Sequence, residues 1–132
     1  MKRNLYLAVL AVATTVLLTG CAALLVGAAA GAGGVAYVQG ELKVIESVPV
    51  DTAQRAAEKA LQDLKLAVLK RQQDGLSGVI EARTSTDQKV TIKTKRISEK
   101  STEVGIRVGV LGDEAKSRQI LNRIQANYPA LR

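Results

Sequence analysis

Apolar and polar positions follow three regimes along this chain. Lys2 and Arg3 precede an uncharged apolar run from Leu5 to Leu18, and no charge occurs again until Glu41. From Ala53 the apolar positions recur at the helical interval, and beyond Lys65 they alternate with polar ones. The first regime has the layout of an export signal, with a basic start, an apolar centre and small residues at its end. The other two predict a folded domain of mixed structure.

Within that domain, Leu42 to Val48 is rich in Val and Ile and is stopped by Pro49, which predicts a strand. Asp51 opens a helix, and Gln54 completes a capping-box pattern with it. Ala53, Ala56, Ala57, Ala60, Leu61 and Leu64 form a narrow apolar stripe, whose alanines let the helix lie close to a sheet. Strands follow over Leu66–Gln72, Leu76–Thr84, Lys89–Ile97 and Thr102–Leu111, separated by turns at Asp74-Gly75, Thr86-Asp87-Gln88 and Ser98 to Ser101. In the last strand Val104, Ile106, Val108 and Val110 share one side. Asp113 and Glu114 favour a helix start, Ser117, Ile120, Leu121, Ile124 and Tyr128 mark one helical face, and Pro129 closes it. The predicted fold is α+β in the order β-α-β-β-β-β-α: an antiparallel sheet of about five strands, one face dry under two helices and the other wet.

Three segments result: 1–20 as a signal peptide, 21–40 as a Gly/Ala-rich tether or membrane-associated segment, and 41–132 as the α+β domain. Gly27, Gly31 and Gly34 fall on one helical face, a spacing that permits close helix contact in a membrane and an oligomer built on it. The cluster Gly31-Ala32-Gly33-Gly34 favours a flexible tether, since glycine weakens an isolated helix by about 1 kcal/mol per residue.

The stretch Leu18-Thr19-Gly20-Cys21, closing a Lys-Arg-led apolar run, resembles the lipobox of bacterial lipoproteins. The resemblance implies cleavage before Cys21, lipid on its sulfur and attachment to a membrane through that lipid. Ala22 in place of an aspartate resembles the signal for the outer membrane, which implies a periplasm-facing, lipid-anchored protein of the cell envelope. The segments Leu76 to Thr84, Lys89 to Lys93 and Arg107 to Glu114, with the lipobox and glycine-rich stretch, resemble a family of short bacterial lipoproteins known as a domain of unknown function. That family implies the fold and the anchor, and no activity. The order of elements also resembles the domains of the NlpB-type lipoprotein subunit of the outer-membrane barrel-assembly machinery.

Composition narrows the chemistry. The chain has 132 residues, no His, Phe or Trp, and one cysteine. An internal disulfide is excluded, and the core must be built from Val, Ile, Leu and Ala. Without histidine the commonest general base and metal ligand are missing, and lipid on Cys21 would remove the thiol as nucleophile or zinc ligand. Asp113 and Glu114 are adjacent and point apart on a helix, so they cap it rather than act as a catalytic pair. The expectation is a non-enzymatic protein without metal or cofactor; an enzyme would need a site of carboxylates, serines and lysines that forms no recognisable cluster here.

Charge adds one candidate surface. The net charge is +7, and loss of Lys2 and Arg3 leaves the balance basic. With strands paired in sequence order, Arg83, Lys89, Lys93, Lys95 and Arg107 project together from the wet face, opposed by Glu81 and Glu103. They are the candidate contact to an anionic surface, either lipid or an envelope protein. Export excludes nucleic acid as a partner, and the pattern leaves the oligomeric state open.

Overall fold

The computed structural model describes residues 2–6 and 34–131, in two units divided after Gly34. Residues 2–6 are helical. The second unit, Val35–Arg132, holds six strands and two helices. Strand β1 (Val35–Val38) and β2 (Glu41–Glu46) precede helix α1 (Val50–Asp63); β3 (Ala67–Gln73), β4 (Ser77–Arg83), β5 (Lys89–Ser98) and β6 (Ser101–Val108) follow, and helix α2 (Glu114–Leu131) ends the chain. All neighbouring strands are antiparallel, in the spatial order β1-β2-β6-β5-β4-β3. The fold is α+β, with one more strand than the pattern predicted.

The added strand, β1, lies in the segment expected to be tether. Val38 pairs with Glu41 across the two-residue loop Gln39-Gly40, and both loop residues have positive φ, 51° and 81°. That is the backbone of a type I′ turn, which suits the twist of a hairpin. Gly40 meets a second demand there, because a Cβ would stand 2.6 Å from the Leu111 carbonyl oxygen. The folded unit therefore begins at Val35 rather than at Glu41.

Alternation along the sheet sorts its two faces. Leu42, Val44, Ile80, Ala82, Val90, Ile92, Val104, Ile106 and Val108 are buried on one face. Both helices cover it: α1 brings Ala53, Ala56, Ala57, Ala60 and Leu61, and α2 brings Ile120, Leu121, Ile124 and Tyr128. The alanine stripe keeps α1 close to the strands, as its side chains have almost no reach. The second helix packs on its own sheet and on α1. Every residue of this core lies between Leu42 and Tyr128, so Val35–Arg132 carries its own core.

Three element boundaries differ from the pattern. Helix α1 starts at Val50 after Pro49, whose side chain makes no cap, so Asp51 lies inside the first turn and caps nothing. Gln54 is then turned into the core, 2% exposed, and donates to the Thr94 hydroxyl at 3.2 Å. Strand β6 stops at Val108 because Gly109 takes φ 75°, which throws Val110 and Leu111 outward, 90% and 91% exposed. Pro129 lies inside α2, which continues to Leu131; near the end of the helix its missing N–H interrupts little.

Candidate functional site

The second face of the sheet has no described element over it. Register places its residues in rows. The central one runs Ala36, Lys43, Gly105, Lys93, Val79, Gln72, and next to it Arg107, Thr91, Glu81 and Lys70 align. Toward the β5–β6 turn, Ile45, Glu103, Lys95 and Ser77 align. Lys89 and Arg83 pair at the other end. All five predicted cations, Arg83, Lys89, Lys93, Lys95 and Arg107, thus stand on this face. Sequence reasoning missed Lys43 and Lys70, because placing them needed the pairing of β2 with β6 and of β3 with β4.

The cations are interleaved with acids. Lys89 Nζ lies 3.0 Å from Glu81 Oε1, and Arg83 Nη1 lies 3.0 Å from Asp87 Oδ1 in the β4–β5 turn. Lys93 Nζ stands 3.5 Å from Glu41 Oε2, an acid the sequence pattern did not bring to this face. Arg107 donates through Nη2 to the Gln39 carbonyl, while its Nε is buried with no acceptor among the described residues. The hydrogen bond from Lys89 holds the Glu81 carboxyl below its ordinary pKa, against partial burial and with help from the Lys89 and Lys70 charges. In each pair the cation is exposed, so the pairs hold side chains in place more than they stabilise the fold.

Two shallow concavities mark the face. One of about 550 Å³ is bounded by Lys43, Lys93, Lys95, Arg96, Glu103 and the apolar Leu76 and Val79. The other, about 340 Å³, lies among Glu81, Lys89, Thr91 and Arg107. Glu41 and Lys93 border both. Such a surface can hold anionic groups through several lysines at once, with aliphatic patches beside them for an amphiphile.

Other chemistry is sparse among the described residues. No group of three His, Cys, Asp or Glu side chains comes together to hold a metal. Asp113 and Glu114 diverge: Asp113 Oδ1 accepts the Lys116 backbone N–H at 3.0 Å, a cap, and Glu114 pairs with Arg118 at 2.8 Å. No described helix is long and apolar enough to cross a membrane. Leu18, Thr19, Gly20 and Cys21 lie outside the described residues, as do Gly27 and Gly31.

No curated protein matches the chain. A protein family does, over residues 4–127 and so through both units. The chain belongs to that family, described as Protein of unknown function (DUF3568).

Proposed function

We propose that this protein is a lipid-anchored, non-catalytic binding or scaffolding module of the cell envelope, held through Cys21 and using the open sheet face to contact an anionic membrane surface. The observation that carries the reading is the asymmetry of the sheet. Two helices seal one face, whereas the other gathers seven Lys and Arg side chains against Glu41, Glu81 and Glu103 with nothing described over it. Near an anionic bilayer each such cation adds about 1 kcal/mol of attraction. The pattern Leu18-Thr19-Gly20-Cys21 supports the anchor, and Ala22 supports delivery to the periplasm-facing leaflet of the outer membrane. A second acyl chain turns marginal binding into lasting attachment, so a diacylated Cys21 needs no spanning helix.

Intact mass of the membrane-extracted protein tests the anchor. Loss of residues 1–20 with a gain of glyceride and acyl mass, both abolished in Cys21→Ser, is expected; retention of Met1 without lipid would refute it. Flotation of Val35–Arg132 with anionic vesicles tests the face. Binding should weaken with salt and vanish on zwitterionic vesicles; indifference to both would refute electrostatic contact.

A further inference from the structure

The hollow between Lys43 and Lys93 exists because the residue between them in the central row is Gly105. Gly105 is nevertheless buried, on the face that no described helix covers. What covers it is Glu41: a Cβ built on Gly105 would overlap the Glu41 Oε1. The Glu41 side chain is 18% exposed and faces Lys93 Nζ at 3.5 Å. It therefore lies flat in the cationic hollow and divides the two concavities that it borders.

Glu41 also has an alternative partner. It stands one register position beyond the Leu42–Ile106 pair, on the side where Arg107 follows. Among the described residues the buried Arg107 Nε has no acceptor, and both residues border the smaller concavity. A carboxylate leaving Gly105 can swing to that donor instead of becoming solvated.

Resting on the basic-face reading above, we infer that the hollow over Gly105 is a binding site for the phosphate group of an anionic lipid, filled in the unbound protein by the Glu41 carboxylate. Phosphate oxygens seek the same ammonium groups, and a phosphodiester presents its charge from outside to Lys43 and Lys93 together. The lipid phosphate displaces Glu41 toward Arg107 and joins the two concavities into one trough. The tail side of the lipid then faces the aliphatic Leu76 and Val79 that border the larger concavity.

The test measures flotation of Val35–Arg132 with phosphatidylcholine vesicles containing phosphatidylglycerol, for the wild type, Glu41→Gln, Glu103→Gln and Gly105→Val. Glu41→Gln and Glu103→Gln change net charge equally and lie on the same face. Charge alone predicts a gain of about fivefold for each. Emptying the hollow predicts a gain of about tenfold or more for Glu41→Gln alone. Gly105→Val fills the hollow with a residue that suits a central strand and should remove most binding with every cation kept; circular dichroism melts verify its fold. Equal gains from the two glutamates, or wild-type binding by a folded Gly105→Val, would overturn the inference and leave the basic-face reading intact. Binding of inorganic phosphate without vesicles by Glu41→Gln would overturn the assignment to lipid. Absence of vesicle binding by every variant would overturn both.

Discussion

Gln54 on α1 and Thr94 on β5 join across the core, the amide donating to the hydroxyl at 3.2 Å, and Thr94 in turn donates to the Gly78 carbonyl at 3.4 Å. The polar pair is buried beside the apolar core, and Gly78 makes room for it, since a Cβ there would strike the Gln54 amide. Gly78→Ala should therefore destabilise the unit by about 1 to 3 kcal/mol through overpacking, although alanine suits a strand better than glycine. Urea unfolding measures it, and an unchanged midpoint would show that the Gln54 amide can move aside without loss.

Acid should weaken the protein through carboxylates that the fold holds ionised. Partial burial works against the Asp63 charge, but hydrogen bonds from Asn127 and Lys59, with the Lys59 and Arg123 charges, outweigh it and lower its pKa. Asp63 thereby ties the end of α1 to α2, at 3.1 Å from Arg123 Nε and 3.3 Å from Asn127 Nδ2. Asp74 is lowered by the backbone N–H groups of Leu76 and then Ser77, each at 2.7 Å. Because the folded values lie below the unfolded ones, this contribution is present above the ordinary carboxylate range and is lost as pH falls through the folded values. Melting temperature should be level near neutrality and drop in acid. Asp63→Asn should lower it at neutral pH and make the acid drop shallower.

Tyr128 carries the opposite case. Burial first, and the Glu46 charge second, push its phenol pKa far above the ordinary value. The hydroxyl is buried without a hydrogen-bond partner among the described residues. Tyr128→Phe should accordingly keep stability or raise it by up to about 1 kcal/mol. In the wild type, stability should fall as pH climbs past the ordinary phenol range, because the unfolded chain releases that proton more easily. The variant should lack this alkaline loss, as paired thermal melts at neutral and high pH would reveal.

Removing the first strand should cost more than its position in a tether would suggest. Val35 and Tyr37 pack against the core from β1, and β2 loses its outer partner without them. Residues 41–132 should be less stable than residues 35–132, by less per side chain than the about 1.5 to 3 kcal/mol of a full burial, because Val35 and Tyr37 are partly buried. Matching melts of the two fragments would instead mean that β1 only decorates the sheet.

Much of the fold was legible because periodicity reports burial directly. The alternation of Val104, Ile106 and Val108, and the helical spacing of Ile120, Leu121, Ile124 and Tyr128, survive unchanged in the core. Alternation also assigned the five cations to the wet face, since a strand whose apolar side is buried has no choice about its other side. Strand ends were less legible. Val110 continues the apolar alternation of β6, and what removes it from the core is a single backbone angle at Gly109.

The amino-acid pattern by itself determined the α+β class, the alanine stripe of α1, and the separation of a sealed face from a charged one. It did so because each depends on spacing within one segment. Tertiary structure alone decided that Val35–Val38 joins the sheet, that β2 pairs with β6, and that Glu41 lies over Gly105 beside Lys93. Those relations join residues far apart in the chain, or rest on the turn at Gln39-Gly40, whose positive φ angles no hydrophobic period records. The acid in the centre of the basic face is a product of packing, because Gly105 beneath it left room for its side chain to lie down.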